Sequence, residues 1–138
     1  IYESRLIGAD CILLISEILN PKTINNYISI AKELELDVII EVHSLKDLNK
    51  FINNNNVLIG INNRNLRNMS VDKKHALNIT KNISNKNNII CESGISSYNQ
   101  FKELYKNGFK NFLIGEYLMK NKDPAKILRK LCSVNNEN

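Results

Sequence analysis

Four short stretches set polar, chemistry-bearing side chains directly behind apolar runs. Glu41 and His43 follow Asp37–Ile40, and Asn62 and Arg64 follow Leu58–Ile61. Glu92, Ser93 and Gly94 follow Ile89–Cys91, while Gly115 and Glu116 follow Phe112–Ile114. Two carboxylates such as Glu41 and Glu92 that share one mouth can divide the roles of acid and base, because burial and mutual repulsion raise one pKa. Asn62 and Arg64 suit a ligand with hydroxyl and carboxylate groups, since a guanidinium grips a carboxylate with two bonds. Glycines where a strand hands over to a loop let backbone N–H groups approach an anion. Ser93-Gly94 and Gly115-Glu116 therefore read as a phosphate cradle. A carboxylate beside a phosphate would repel it, so only the backbone N–H of Glu116 is assigned to that cradle. Each feature also has a plainer reading: Glu41 paired with a lysine, the glycines as turns, His43 as a capping or surface residue. For His43 the plainer reading is preferred; for Glu41 and Glu92 the functional one is, because a charge that ends a buried strand must be solvated or used.

The elements that must position these residues are short β-rich runs alternating with helical stripes. A helix end over Ile1–Gly8 precedes a strand at Cys11–Ile15, and a helix capped by Thr23 runs to about Leu34 with Ile24, Tyr27, Ile28, Ala31 and Leu34 on one stripe. A second strand, Asp37–Val42, leads to a helix capped by Ser44 with Leu45, Leu48 and Ile52 inward, then to a third strand at Val57–Ile61. A helix from Asp72 carries Ala76, Leu77 and Ile79, a fourth strand spans Ile89–Cys91, and a helix from Ser97 stops at Asn107-Gly108. A fifth strand at Phe112–Ile114 and a helix opened by Pro124, with Ile127, Leu128 and Leu131, complete the series. Five buried strands alternating with helices dictate a parallel α/β sheet, either open and doubly wound or part of a (β/α)8 barrel. A parallel array projects all the strand-end residues to one side. No GxGxxG or GxxxxGK[ST] follows any strand, which counts against a nucleotide-binding open sheet.

Length and composition bound the remaining readings. The 138 residues make one domain with a real core, and a complete barrel takes roughly 250. No apolar run approaches the roughly 18 residues of a membrane span, and none resembles a signal peptide. The three cysteines are odd in number and far apart, so neither a disulfide framework nor a zinc site is expected. Cys11 and Cys91 lie in apolar runs as small hydrophobes, and a reduced, cytoplasmic compartment fits. The net charge of +5 comes from scattered lysines without interleaved aromatics, which argues against nucleic acid and for attraction of an anionic ester.

The strand-end series Ile40-Glu41-Val42-His43, Gly60-Ile61-Asn62-Asn63-Arg64-Asn65-Leu66, Glu92-Ser93-Gly94-Ile95 and Leu113-Ile114-Gly115-Glu116-Tyr117-Leu118-Met119, with Ala9-Asp10 before Cys11–Ile15, resembles indole-3-glycerol-phosphate synthase. The match runs in order from Ile1 to about Leu131. The resemblance implies a partial (β/α)8 barrel, strands four to eight, from a lyase of tryptophan biosynthesis. The implied substrate is 1-(2-carboxyphenylamino)-1-deoxyribulose 5-phosphate, closed, decarboxylated and dehydrated to indole-3-glycerol phosphate. Glu41 would be the strand-five acid/base, and Asn62 would hold a sugar hydroxyl, with Arg64 supporting the site. Glu92 would stabilise developing positive charge, and Ser93, Gly94, Gly115 and Glu116 would cradle the phosphate. No metal or organic cofactor is implied.

Residues 1–132 are then the C-terminal part of the barrel and 133–138 a polar tail. The chain begins with Ile1 rather than Met, and strands one to three, with the family's strand-one glutamate and lysine and strand-three lysine, are expected to be missing. Lys22 and Lys46 fall past their strands and do not replace them. Alone the chain is expected to be inactive and to associate through the open edges Cys11–Ile15 and Phe112–Ile114. Two alternatives stay open: a non-catalytic half-barrel completing another chain's site on its phosphate side, and a different phosphate-binding barrel such as a phosphoribosyl isomerase or thiazole synthase.

Overall fold

The structure, a computed structural model, describes residues 1–134. Five parallel strands alternating with helices form one sheet in the order β1-β2-β3-β4-β5, an α/β architecture of consecutive units of the (β/α)8 type. The strands are β1 (Cys11–Ile15), β2 (Asp37–Val42), β3 (Leu58–Asn62), β4 (Ile89–Glu92) and β5 (Asn111–Leu113). The chain divides into two compact units, Ile1–Ile61 and the residues from Asn62 onward.

In the first unit, α1 (Tyr2–Leu6) ends at Gly8, whose φ of +89° makes the turn. Helix α2 (Pro21–Glu33) starts one turn earlier than Thr23 suggested: Asn20 is the cap, accepting from Thr23 N at 2.9 Å, and Pro21 takes the first helical position, where its missing N–H costs nothing. Ser44 caps α3 (Leu45–Phe51) as expected, accepting from Asp47 N at 3.1 Å, but the buried pair is Leu48 and Phe51, and Leu45 is exposed. The parallel register pairs Leu14 with Ile40 and Ile40 with Ile59, and this row is buried on the face where α2 and α3 pack on β2. The next row, Leu13, Ile39 and Leu58, points the other way by strand alternation, and Leu13 is 49% exposed. Cys11 is exposed as well, correcting the expectation of burial, because it opens the edge strand.

In the second unit, α4 (His75–Ile79) is shorter than expected, since Asp72 closes a turn on Lys74 N instead of starting the helix. Ser97 caps α5 (Tyr98–Lys106), whose Phe101 ring sits 4.6 Å from that of Phe112 on β5. A short helix the sequence did not announce, α6 (Glu116–Met119), follows β5 directly. Asp123 caps α7 (Pro124–Cys132), which buries Leu131 and leaves Leu128 half exposed. Val134 is buried, and residues 135–138 of the expected tail lie outside the described residues. Among the described residues no helix is long and apolar enough to cross a membrane.

Candidate functional site

Glu41 stands in the first unit, one residue before the end of β2. It is 7% exposed, and its neighbours in register are Ile15 and Gly60. Its backbone carbonyl accepts from Ser16 N at 3.0 Å, which ties the end of β1 to β2. His43 lies just beyond the strand, half-buried and beside the Ser44 cap.

The other candidate residues all belong to the second unit. Glu92 ends β4 and is 5% exposed. The chain then leaves the strand through two residues with left-handed backbone, Ser93 at φ +59° and Gly94 at φ +74°. For Ser93 this conformation is uncommon and costs free energy, so the surroundings must impose it. Asn63 does so. Its Nδ2 donates to Glu92 O and Ser93 O, both at 3.1 Å, and to Cys91 Sγ at 3.3 Å. Its Oδ1 accepts from Ala76 N at 2.9 Å, so one fully buried amide joins the ends of β3 and β4 to α4. Sequence reasoning passed over Asn63. The signal available was a polar residue adjoining a buried strand among several like it, which does not say which amide turns inward.

Gly94 is required on two grounds. Its φ suits glycine, and a Cβ there would lie 2.7 Å from Val71 Cγ1. Gly115 differs: a Cβ would meet nothing within 4 Å, so this turn faces open space. Asn62 is buried, and its Oδ1 accepts from Arg64 N at 2.9 Å, a local turn that aims the arginine. Arg64 Nη1 donates to Met69 O at 3.2 Å and Nη2 to Glu116 Oε2 at 3.2 Å. Lys120 Nζ donates to the other oxygen, Oε1, at 2.6 Å. Lys120, and then Arg64, hold the Glu116 carboxyl below its ordinary 4.5.

These contacts enclose a recess of about 90 Å³, walled by Ser93–Ile95, Leu113–Glu116 and Arg64. It suits one small anionic group and falls well below the roughly 300–1,000 Å³ that encloses a drug-sized ligand. A larger cavity of about 340 Å³ lies among α5, β5 and α7, but apolar side chains such as Phe101, Phe112 and Leu131 dominate its lining and no carboxylate faces it. The structure thus gathers Arg64, Ser93, Gly94, Gly115 and Glu116 around one recess. Asn62 and Glu92 end adjacent segments of the same unit, and Glu41 stands one residue before the end of its own strand in the other. Among the described residues no three His, Cys, Asp or Glu side chains are grouped so as to hold a metal ion.

Known proteins share this sequence pattern and this fold. Solved structures with the same fold include a mandelate oxidase mutant carrying an FMN adduct (TM-score 0.62, 14% identity, covering 99% of this chain and 50% of that one). Another is the N-acetylmannosamine-6-phosphate 2-epimerase of Clostridium perfringens (TM-score 0.59, 11% identity, 96% and 59%). Among curated relatives, the indole-3-glycerol phosphate synthase of Delftia acidovorans is 39% identical over 131 residues, 95% of this chain and 49% of the relative. The tryptophan biosynthesis protein TrpCF of Buchnera aphidicola subsp. Schlechtendalia chinensis is 38% identical over 137 residues, 99% of this chain and 30% of the relative. The chain spans about half the length of the curated synthases it matches. A family model described as indole-3-glycerol phosphate synthase matches residues 1–131, nearly the whole chain, and with these strand-end residues in order the chain belongs to the indole-3-glycerol phosphate synthase family.

Proposed function

We propose that this chain is the half of an indole-3-glycerol-phosphate synthase that carries strands four to eight, with residues 1–132 as barrel and 133–138 as tail. The reaction closes 1-(2-carboxyphenylamino)-1-deoxyribulose 5-phosphate to indole-3-glycerol phosphate, releasing CO2 and water. The observation that carries this reading is the family match over residues 1–131 together with the recess walled by Ser93, Gly94, Gly115 and Arg64.

In this mechanism the aryl carbon bearing the carboxylate attacks the sugar carbonyl. Loss of CO2 restores the aromatic ring, and loss of water completes the indole. Glu41 moves protons as an acid/base, and Glu92 stabilises the positive charge that develops on the nitrogen as electrons flow from it. Asn62 orients a sugar hydroxyl, Arg64 supports the site, and Ser93, Gly94, Gly115 and the backbone N–H of Glu116 hold the phosphate. These residues need no metal or organic cofactor for the steps assigned to them. The three free cysteines suit a cytoplasmic setting.

Turnover requires groups from the rest of a barrel, because the sequence offers no lysine at a strand end in place of the family's acid. The edge strands β1 and β5, with Leu13 and Leu113 exposed, are where a further polypeptide would pair. The same edges suit a second reading, a non-catalytic half-barrel that lends its phosphate recess to a partner's site.

The test is indole-3-glycerol phosphate formation, followed by product fluorescence, with this chain alone and mixed with a family segment supplying strands one to three. The expected result is turnover in the mixture alone, abolished by Glu41→Gln. A folded complex without turnover overturns the catalytic roles and favours the second reading.

A further inference from the structure

We propose that the Glu116 carboxylate is an internal counter-anion for Arg64, which an anionic group of the ligand must displace on entering the recess. The inference rests on the reading of that recess as an anion site and adds the residue that sets how readily it fills.

The geometry distinguishes a fixed member from a movable one. Arg64 is anchored at both ends: its backbone N–H by Asn62 Oδ1 at 2.9 Å, its guanidinium by Met69 O at 3.2 Å. The loop that presents Met69 is itself braced, with Met69 N donating to Asn65 O at 2.8 Å and Asn65 N to Ser70 O at 2.9 Å. Glu116 has no comparable anchor. It opens the four-residue α6, its side chain is 55% exposed, and its carboxylate pairs with two cations, Arg64 and Lys120. Arg64 is the more covered of the pair, at 28%. An exposed ion pair is weak and exchanges readily with ions from solution.

The charges show what displacement would do. With Glu116 in place, Arg64 and Lys120 share one carboxylate, and Nη2 of Arg64 is occupied by Glu116, which walls the recess with it. With the carboxylate turned out toward Lys120, which already holds its other oxygen at 2.6 Å, Arg64 faces the recess with a free donor. Lys120 thus provides the parking position, and the exchange leaves no charge unpaired. Glu116 so excludes weak anions and admits one that meets Arg64 and the Ser93–Gly94 turn together.

The experiment uses the full chain and inorganic phosphate as probe. Amide shifts of Ser93, Gly94 and Gly115 report binding, and circular dichroism confirms the fold. Glu116→Gln should bind phosphate about three- to tenfold more tightly than the parent, and Arg64→Gln added to it should remove the gain. Glu103→Gln, an exposed site on α5 with the same change in net charge, should leave affinity unaltered. Parent binding that Glu116→Gln leaves equal or weakens overturns the counter-anion, as does an equal gain from Glu103→Gln or one that survives loss of Arg64. If neither parent nor Glu116→Gln shifts those amides, the anion-site reading fails together with this one.

Discussion

Asn63 Nδ2 donates to the carbonyl of Ser93 at 3.1 Å, across thirty residues of sequence, and holds that serine in a left-handed backbone conformation. The same amide reaches Glu92 O, Cys91 Sγ and, through Oδ1, Ala76 N. The turn that shapes the recess is therefore set by a residue that does not line it.

Replacing Asn63 by Ala should destabilise the fold by about 2–4 kcal/mol, because two backbone carbonyls and one backbone N–H lose a buried partner. Asn63→Asp should cost more at neutral pH, since an acceptor-only carboxylate would face the carbonyls of Glu92 and Ser93. Urea denaturation with matched m-values checks both, and an Asp variant as stable as the parent would contradict the assigned donor.

Gly94→Ala should cost about 1–3 kcal/mol, from the φ of +74° and the approach to Val71 Cγ1. Adding Val71→Ala relieves the steric part only, so the double variant should recover some stability and remain below Val71→Ala alone. Gly115→Ala, with no atom within 4 Å of its Cβ, should be close to neutral. Thermal melts of the four variants separate the two contributions.

Burial pushes the Cys91 thiol up to about 11, with Glu92 adding to the shift and Asn63 opposing it. The native state thus favours the neutral thiol. Its contribution is intact below the ordinary value of 9.0 and is lost as pH climbs from there toward about 11, where the unfolded chain ionises first. A disulfide reagent at pH 8 should label exposed Cys11 and Cys132 quickly and Cys91 only after denaturation.

For Glu116 the sign is opposite. Lys120 and Arg64 lower its carboxyl, so the pairing is present above the ordinary 4.5 and fades as pH falls from there through the depressed folded value. The Glu116 side-chain carboxyl signal in a carbon-detected NMR titration should have its midpoint below 4.5, and Lys120→Gln should move it back upward. A midpoint unchanged by Lys120→Gln would contradict the pairing.

Much of the architecture was readable without coordinates, because its determinants are local. Runs such as Cys11–Ile15 and Asp37–Val42 are β-rich and bounded by turn residues, and both strands occupy those residues. The caps Ser44 and Ser97 were equally visible, since a hydroxyl before a helical stripe has one obvious use. Glu41 and Glu92 were placed at strand ends by the same local pattern; Glu92 closes β4, and Glu41 is the last residue but one of β2. The Thr23 cap failed because Asn20-Pro21 competes for it three residues earlier, and α6 was missed because four residues show too little periodicity to read.

Pairing across the chain was the part the sequence could not supply. Asn62 and Asn63 are the same residue type in adjacent positions, yet one completes a local turn on Arg64 while the other ties three elements together. Arg64 and Glu116, 52 residues apart, form their ion pair only once α6 follows β5. Sequence by itself determined which segments become strands and helices and which chemistry ends each strand, since both follow from neighbouring residues. Tertiary structure decided which amide is buried, which thiol is shielded and which charge holds which, because those choices depend on distant segments brought within hydrogen-bond reach.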